Sequence, residues 1–131
     1  MEQSDQEGAI NDVVVLVVED EGPVREVVVE ILATEGLVVH EAEHADAALA
    51  ILEIRFAEIH VLLTDVNMPG RMDGLALAHH VHRHWPAIGL VIASGRPKPR
   101  AQAMPPGARF LPKPWRRSHM LRHIRELTAA V

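Results

Sequence analysis

The chain has 131 residues, the length of one compact domain, and 48% of them are hydrophobic, mostly Val, Ile, Leu and Ala. It contains no Cys, which excludes disulfides, thiolate metal sites and cysteine nucleophiles. No apolar run approaches the roughly 18 residues of a membrane-spanning helix, and the acidic first ten residues do not resemble a secretory signal. We therefore expect a cytoplasmic protein that makes no membrane contact.

The net charge of −5 conceals an uneven distribution of charged residues. Residues 1–65 contain 16 of the 18 acidic residues but only two basic ones, whereas residues 96–125 contain nine of the 13 basic residues. Folding either mixes these charges or produces an acidic pocket and a separate basic C-terminal face. The acidic net charge argues against direct binding of nucleic acid through bulk electrostatics.

Strand and helix patterns alternate along the chain after residues 1–11, which we expect to form a flexible tail. The predicted strands lie at 13–18, 37–39, 60–64, 88–93 and 109–111, and the predicted helices at 22–35, 44–56, 73–85 and 115–129. The first strand is apolar on both faces, as a central parallel strand should be. This alternation predicts a three-layer α/β/α sandwich with a parallel sheet and right-handed crossovers. Residues 12–131 are thus predicted to form one domain.

The connection between the fourth and fifth predicted strands departs from this pattern. A fourth helix is expected there, but Pro97, Pro99, Pro105 and Pro106 leave room for little more than a turn around residues 100–104. We therefore predict that the fourth helix is short or irregular, and that residues 96–108 are mobile or packed in an unusual way.

Polar side chains follow four of the predicted strands. Glu19 and Asp20 come after the first strand, Asp65 after the third, Ser94 after the fourth and Lys113 after the fifth. The carboxyl ends of parallel strands share one edge of the sheet, where ligands bind in such folds. Three converging carboxylates would repel one another unless a cation lay among them, and Mg²⁺ prefers oxygen ligands. Each feature alone also fits an ordinary turn, but together they predict a phosphoryl-transfer site with a carboxylate nucleophile.

Four motifs, VLVVEDE, LLTDVNMPGRMDG, VIASG and FLPKPW, occur in the order and spacing of response-regulator receiver domains. Residues 12–130 resemble that family of two-component signalling proteins. The resemblance implies a flavodoxin-like (βα)5 fold with strand order 2-1-3-4-5. It also implies phosphorylation of Asp65 by a sensor histidine kinase or a histidine phosphotransfer protein.

The resemblance assigns further roles to single residues. Mg²⁺ would be held by Glu19, Asp20, Asp65 and the backbone carbonyl of Asn67, and Glu19 stands where Asp is the commoner residue. Lys113 would pair with the phosphoryl oxygens, Ser94 would be the switch hydroxyl, and Phe110 would be the switch aromatic residue. Asn67 and Arg96 would tune the lifetime of the phosphorylated form, and the Lys113–Pro114 peptide is a candidate for the cis form.

The sequence thus favours a receiver switch rather than a turnover enzyme. We expect a stand-alone chain resembling the chemotaxis regulators, monomeric or weakly dimeric, with its output partner bound through the basic face of residues 96–125. A receiver fragment of a longer kinase or regulator also fits.

Two alternatives belong to other functional classes. A Mg²⁺-dependent phosphatase of the haloacid-dehalogenase type places its nucleophile on the first strand with a second Asp two residues later, whereas Gly22 stands two residues after Asp20. A phosphorylation-independent interaction module would not need the intact acidic set with Ser94 and Lys113.

Two further features invite a functional interpretation. His79, His80, His82 and His84 crowd the third predicted helix, and a pair four residues apart on a helix can bind a metal. We expect instead a solvated helix face, because no carboxylate or Cys completes a site. Trp115 is expected to pack at the start of the last helix.

Overall fold

Five parallel strands alternate with helices in this computed structural model, which describes residues 12–95 and 98–129. The strands are β1 (Val14–Val18), β2 (Val38–Ala42), β3 (Val61–Asp65), β4 (Gly89–Ser94) and β5 (Arg109–Pro112). The α-helices within the described ranges are α1 (Gly22–Thr34), α2 (Ala45–Arg55), α3 (Gly74–His84) and α4 (Arg117–Thr128). The predicted tail at 1–11 lies outside the described residues.

The sheet has the strand order β2-β1-β3-β4-β5, and all four neighbouring pairs are parallel. This order confirms the predicted flavodoxin-like arrangement. Alternate residues of β1 point to opposite faces of the sheet: Val15 and Val17 pack with α1 and α4, whereas Leu16 and Val18 pack with α2 and α3. A three-layer sandwich results, because both faces of the central strands are apolar and must be covered.

Local sequence signals fix both ends of α1 and the start of α3. Pro23 occupies the first turn of α1, where its missing N–H costs no hydrogen bond. Gly36 follows α1 with a φ of 92°, a left-handed conformation that favours glycine. The side chain of Asp73 accepts a hydrogen bond from the N–H of Ala76 at 2.8 Å and caps α3. Helix α3 therefore starts immediately after the turn that follows β3.

The connection between β4 and β5 is irregular, as predicted from its prolines. Within its described part the only helical turn is a short 3-10 segment, Ala101–Ala103. Pro105 is buried, and an imidazole nitrogen of His79 lies 2.7 Å from the carbonyl oxygen of Ala103, which attaches this connection to α3. Whether the connection is mobile stays a prediction, and Arg96 and Pro97 lie outside the described residues.

Among the described residues, no helix has both the length and the apolar character needed to cross a lipid bilayer.

Candidate functional site

An open cleft of about 380 Å³ lies at the carboxyl edge of the sheet. Its walls come from the ends of β1, β3, β4 and β5 and consist of Glu19, Asp20, Glu21, Asp65, Asn67, Gly95 and Lys113. The parallel strand order brings these loops together although they are up to 94 residues apart in sequence. The predicted convergence of carboxylates and Lys113 is thus present in the fold.

Asp65 is the last residue of β3 and is only 8% exposed. The strand continues into a tightly held turn, because the N–H of Val66 donates to the carbonyl of Ala93 at 3.0 Å. The N–H of Gly74 in turn donates to the carbonyl of Val66 at 2.8 Å. A Cβ atom on Gly74 would lie 1.8 Å from the Asp65 carbonyl oxygen, so the backbone of α3 presses directly against the strand end. Our sequence analysis did not single out Gly74, although its position beside Asp73 at the start of a helix was a signal.

Glu19 is held by contacts that the sequence did not reveal. Its side chain is nearly buried, and its Oε2 accepts a hydrogen bond from the Glu21 N–H at 3.2 Å. The guanidinium of Arg25 donates to the Glu19 backbone carbonyl at 2.7 Å and to Glu41 Oε1 at 3.0 Å. Arg25 therefore ties the loop after β1 to β2, and it is one of the two basic residues within the acidic first half of the chain.

Three carboxylates meet in the cleft: one oxygen each from Glu19, Asp20 and Asp65 lie within 4.8 Å of one another. An all-oxygen donor set of this kind fits a hard divalent cation such as Mg²⁺, which binds through one or two carboxylates and retains several waters. Asn67 is exposed at the rim of the same cleft. The residues present therefore fit the ion that the sequence motifs imply.

Lys113 connects two of these acids. Its Nζ lies 2.8 Å from Glu19 Oε1 and 3.1 Å from Asp65 Oδ1. The backbone N–H of Lys113 donates to the carbonyl of Ser94 at 2.9 Å, which fixes the start of its side chain, and the Lys113–Pro114 peptide is cis, as predicted. Burial alone would favour the neutral amine, but the hydrogen bonds to Glu19 and Asp65 outweigh it and raise the pKa of Lys113.

The Asp65 carboxyl also has a raised pKa. Burial is the largest cause, and the negative charge of Asp20 adds to it, whereas the hydrogen bond and positive charge of Lys113 act in the opposite direction. A buried carboxylate beside another acid is more basic than a solvated one. A raised pKa at a cleft residue is typical of a group used in chemistry, although structural networks also produce it.

We expect Asp65→Asn to increase the stability of the folded chain at pH 7 in the presence of a chelator. The folded carboxyl binds its proton more tightly than the unfolded one, so the wild type gains stability as the pH falls through the folded pKa and loses it as the pH rises. The advantage of Asn is therefore largest near neutral pH and shrinks in acid. Thermal unfolding between pH 4 and pH 8 measures this difference, and a variant that is less stable than the wild type at pH 7 would contradict it.

The two predicted switch residues occupy different surroundings. Ser94 is buried at the end of β4 with 3% exposure. Phe110 is half-buried on β5, and the Lys98 Nζ lies 5.8 Å from the centre of its ring, a cation–π contact. Phe110 is not part of the cleft wall, whereas Gly95, which sequence reasoning missed, is. A Cβ atom added to Gly95 would lie 3.6 Å from the Lys113 Cβ, an ordinary van der Waals contact, so Gly95 passes close to the base of the Lys113 side chain.

The other singled-out residues lie away from the cleft. Trp115 packs against the core cluster between the sheet and α1 and α4, as expected. His84 is exposed and His80 half-buried on α3, and both lie near Trp85.

Comparison with known proteins identifies the family of this chain. The sequence profile of the response regulator receiver domain matches residues 15–125. This chain belongs to the receiver-domain family. The receiver is 35% identical over 116 residues to the sensor kinase CckA of Brucella abortus (strain 2308), an alignment that covers 86% of the receiver and 12% of CckA. The chain thus spans only a small part of this curated relative.

Solved structures agree with that assignment. The receiver domain of the hybrid histidine kinase CckA has a TM-score of 0.75 at 31% identity, covering 87% of this receiver and 97% of that chain. The receiver domain of NtrX from Brucella abortus has a TM-score of 0.80 at 30% identity, covering 89% and 99%. Receiver domains are signalling switches that work with histidine kinases or phosphotransfer proteins in two-component systems.

Proposed function

We propose that this receiver is a Mg²⁺-dependent phospho-acceptor switch that is phosphorylated on Asp65. One observation carries the proposal: the Asp65 carboxylate lies almost buried at a strand end, 3.1 Å from the Lys113 ammonium and close to two further carboxylates. A purely structural ion pair would not need three acids around one lysine, because the uncompensated negative charge is costly to bury.

The proposed reaction transfers a phosphoryl group between two side chains. An Asp65 oxygen attacks the phosphorus of a phosphohistidine on the donor protein; a P–O bond forms, the P–N bond breaks, and the imidazole leaves and takes up a proton. Lys113 neutralises charge on the transferred oxygens, which is the main task in phosphoryl transfer. Glu19, Asp20, Asp65 and the Asn67 carbonyl would hold Mg²⁺, which would supply further charge neutralisation and orientation.

The proposed switch begins with the charge that phosphorylation adds. A phosphoryl group brings about −1.5 to −2 charge and several strong acceptor oxygens. Ser94 ends the neighbouring strand, so its hydroxyl is the nearest switch group, and its movement changes the loop that follows β4. Phe110 then turns inward as the loop vacates space. Its cation–π contact with Lys98 links the aromatic ring to the same irregular connection.

The lifetime of the acyl phosphate depends on access of water in line with the P–O bond. Asn67 stands at the rim of the cleft, and Arg96 follows the end of β4 by two residues. We infer from these sequence positions that Asn67 and Arg96 tune that lifetime. Self-catalysed hydrolysis of Asp65 phosphate resets the switch, so the chain is an acceptor rather than a turnover enzyme.

The proposed output partner is a protein with an acidic surface. Residues 98–125 contain eight Arg and Lys and no Asp or Glu. Three of these cations are already paired: Lys113 with Glu19 and Asp65 in the cleft, Arg109 with Glu126 at 2.5 Å, and Arg117 with Glu35 of α1. Arg100, Arg116 and Arg122 are exposed on this basic face. We infer a monomer or weak dimer in the cytoplasm, with a histidine kinase or phosphotransfer protein as donor.

The proposal is tested by incubation with a small phosphodonor such as acetyl phosphate and Mg²⁺, wild type beside Asp65→Asn. We expect the wild type to gain one phosphoryl group that is stable in acid and lost in base, and the variant to gain none. Chelation of Mg²⁺ should abolish the gain. If the wild type stays unmodified, or if the variant is modified equally, the switch interpretation fails; steady release of phosphate from an external phosphomonoester would favour the phosphatase alternative.

A further inference from the structure

The second half of the connection between β4 and β5 packs on the α3 side of the sheet. Met104 and Ala108 are partly buried against the core cluster that α2 and α3 cover, and Pro105 is buried. Leu77 and Val81 of α3 have no exposed surface and belong to the same cluster. Helix α3 is therefore a fixed support for this part of the connection.

The paired prolines of the connection end its short helical turn. The N–H groups of Ala103 and Met104 donate to the carbonyls of Arg100 and Ala101 at 2.8 Å and 3.2 Å and close this 3-10 turn. The turn cannot continue as an α-helix, because the two residues after Met104 are both proline and have no N–H to donate. The carbonyl of Ala103, the last residue of the turn, accepts a hydrogen bond from a side chain of α3.

That side chain is the imidazole of His79, whose Nε2 lies 2.7 Å from the Ala103 carbonyl oxygen. A carbonyl oxygen can only accept, so Nε2 carries the proton and donates it. Both the neutral Nε2–H tautomer and the imidazolium meet this requirement. His79 stands two residues after Leu77 and two before Val81, so buried neighbours on both sides hold its backbone in place.

The first half of the connection lies next to the proposed switch residues. It begins directly after Ser94, the buried last residue of β4. Four residues after Ser94, the Lys98 Nζ lies 5.8 Å from the centre of the Phe110 ring on β5. Ala103 follows Lys98 by five residues. The hydrogen bond of His79 therefore stands between a half that follows Ser94 and a half that is fixed to α3.

We propose that His79 is a positioning residue of the switch: its Nε2–H holds the β4–β5 connection on α3 in the unphosphorylated receiver, and phosphorylation of Asp65 releases this contact. The inference rests on the phospho-acceptor function proposed above. Movement of Ser94 towards the phosphoryl oxygens displaces the chain that follows it, and the bond to Ala103 opposes that displacement. A contact made only in the undisplaced arrangement favours the unphosphorylated state, and by linkage phosphorylation favours its loss.

The strength of this contact sets the size of the expected effects. The hydrogen bond lies at an exposed position, so its net contribution is that of one ordinary hydrogen bond, about fivefold in the equilibrium between the held and the released connection. The apolar contacts of Met104 and Pro105 do not depend on it. The receiver therefore remains folded when the imidazole is replaced.

Trypsin cleavage after Arg100 measures release of the connection. It is the one bond within residues 96–108 that trypsin cuts, because Arg96 and Lys98 each precede a proline. Arg100 is exposed, but its carbonyl is held in the 3-10 turn, so cleavage requires local opening and follows the open population. In Mg²⁺ without a phosphodonor, His79→Met should be cut about fivefold faster than the wild type, because Met has no donor.

Two matched variants separate the hydrogen bond from the bulk of the side chain. His79→Gln keeps an N–H donor near the position of Nε2, and His82→Met replaces another half-buried histidine of α3. Both should be cut within about twofold of the wild type, and cleavage after Arg122, inside α4, should be equal in all four proteins. Equal cleavage after Arg100 in His79→Met and the wild type would overturn the proposal. So would a His79→Gln variant that is cut as fast as His79→Met.

Acetyl phosphate in Mg²⁺ tests the link to phosphorylation, with mass spectrometry of the same samples to count phosphoryl groups. The phosphorylated wild type should be cut after Arg100 about fivefold faster than the unmodified protein, whereas His79→Met should gain less than about twofold and Asp65→Asn nothing. A phosphorylated wild type that is cut no faster would overturn the release step. A wild type that gains no phosphoryl group would refute the proposed function and the release step with it, while the comparison without phosphodonor still decides whether His79 holds the connection.

Discussion

Replacement of Gly74 by Ala should destabilise the folded receiver by about 2–4 kcal/mol, one of the largest effects expected from a single methyl group. The added Cβ would lie 1.8 Å from the Asp65 carbonyl oxygen, 2.7 Å from its carbonyl carbon and 2.9 Å from the Val66 Cα. All three are backbone atoms, so no side-chain rotation relieves the overlap. Either α3 moves away from β3 or the strand end that carries Asp65 shifts.

Denaturant unfolding measures this loss, with Gly22→Ala as the matched control. Gly22 lies in the first turn of α1, and a Cβ added there meets nothing within 4 Å. Alanine at that position should leave stability unchanged or raise it by up to about 1 kcal/mol. The phosphorylation rate of Gly74→Ala should fall as well, because the acceptor carboxylate moves. Equal stability of the two glycine variants would show that α3 does not press on the strand end.

Replacement of Lys113 by Met should have opposite effects on metal binding and on phosphorylation. The ammonium lies 2.8 Å from Glu19 and 3.1 Å from Asp65, so its removal takes a positive charge away from two of the three acids. We therefore expect Mg²⁺ to bind about tenfold more tightly. Phosphorylation by acetyl phosphate should nevertheless slow by about a hundredfold, because the transferred oxygens lose a charged donor.

Calorimetric titration with Mg²⁺ and single-turnover phosphorylation provide the two measurements. Lys98→Met is the matched control, since Lys98 is the other lysine of the chain and its Nζ lies over Phe110 rather than in the cleft. It should leave Mg²⁺ affinity unchanged. If both Mg²⁺ affinity and phosphorylation decrease together in Lys113→Met, Lys113 supports the structure of the cleft and does not act as a charge partner of the phosphoryl group.

The fold and the main site could be predicted from the sequence because a short local pattern, an apolar run that stops at a polar residue, marks each strand end. Apolar β-branched runs that stop at Glu19, at Asp65 and at Ser94 define both the strands and the edge where those residues meet. The prolines between β4 and β5 likewise predicted the absence of a regular helix, since proline removes a donor and clashes within a helix. In the part of this connection that the structure describes, residues 98–108, helical structure is limited to the short 3-10 turn at Ala101–Ala103.

The remaining features depend on distances between segments that are far apart in sequence. Arg25 holds the Glu19 carbonyl and reaches Glu41, which requires β2 to lie beside β1. His79 contacts Ala103 across 24 residues, and no local pattern marks either residue. Gly74 looks like an ordinary helix start until the path of β3 is known. Sequence periodicity describes single elements, whereas these contacts arise from how the elements pack.

The central claim is that Asp65 carries the phosphoryl group, and chemical trapping tests it most directly. The receiver is treated with acetyl phosphate and Mg²⁺ and then with borohydride, which reduces an aspartyl phosphate to homoserine and releases phosphate. Peptide mass spectrometry then locates the converted residue. We predict homoserine at position 65 and at no other acidic position, and its loss when Mg²⁺ is chelated. The claim would be contradicted if Glu19 or Asp20 were reduced instead of Asp65. It would also be contradicted if the protein became phosphorylated but borohydride reduced no acidic residue.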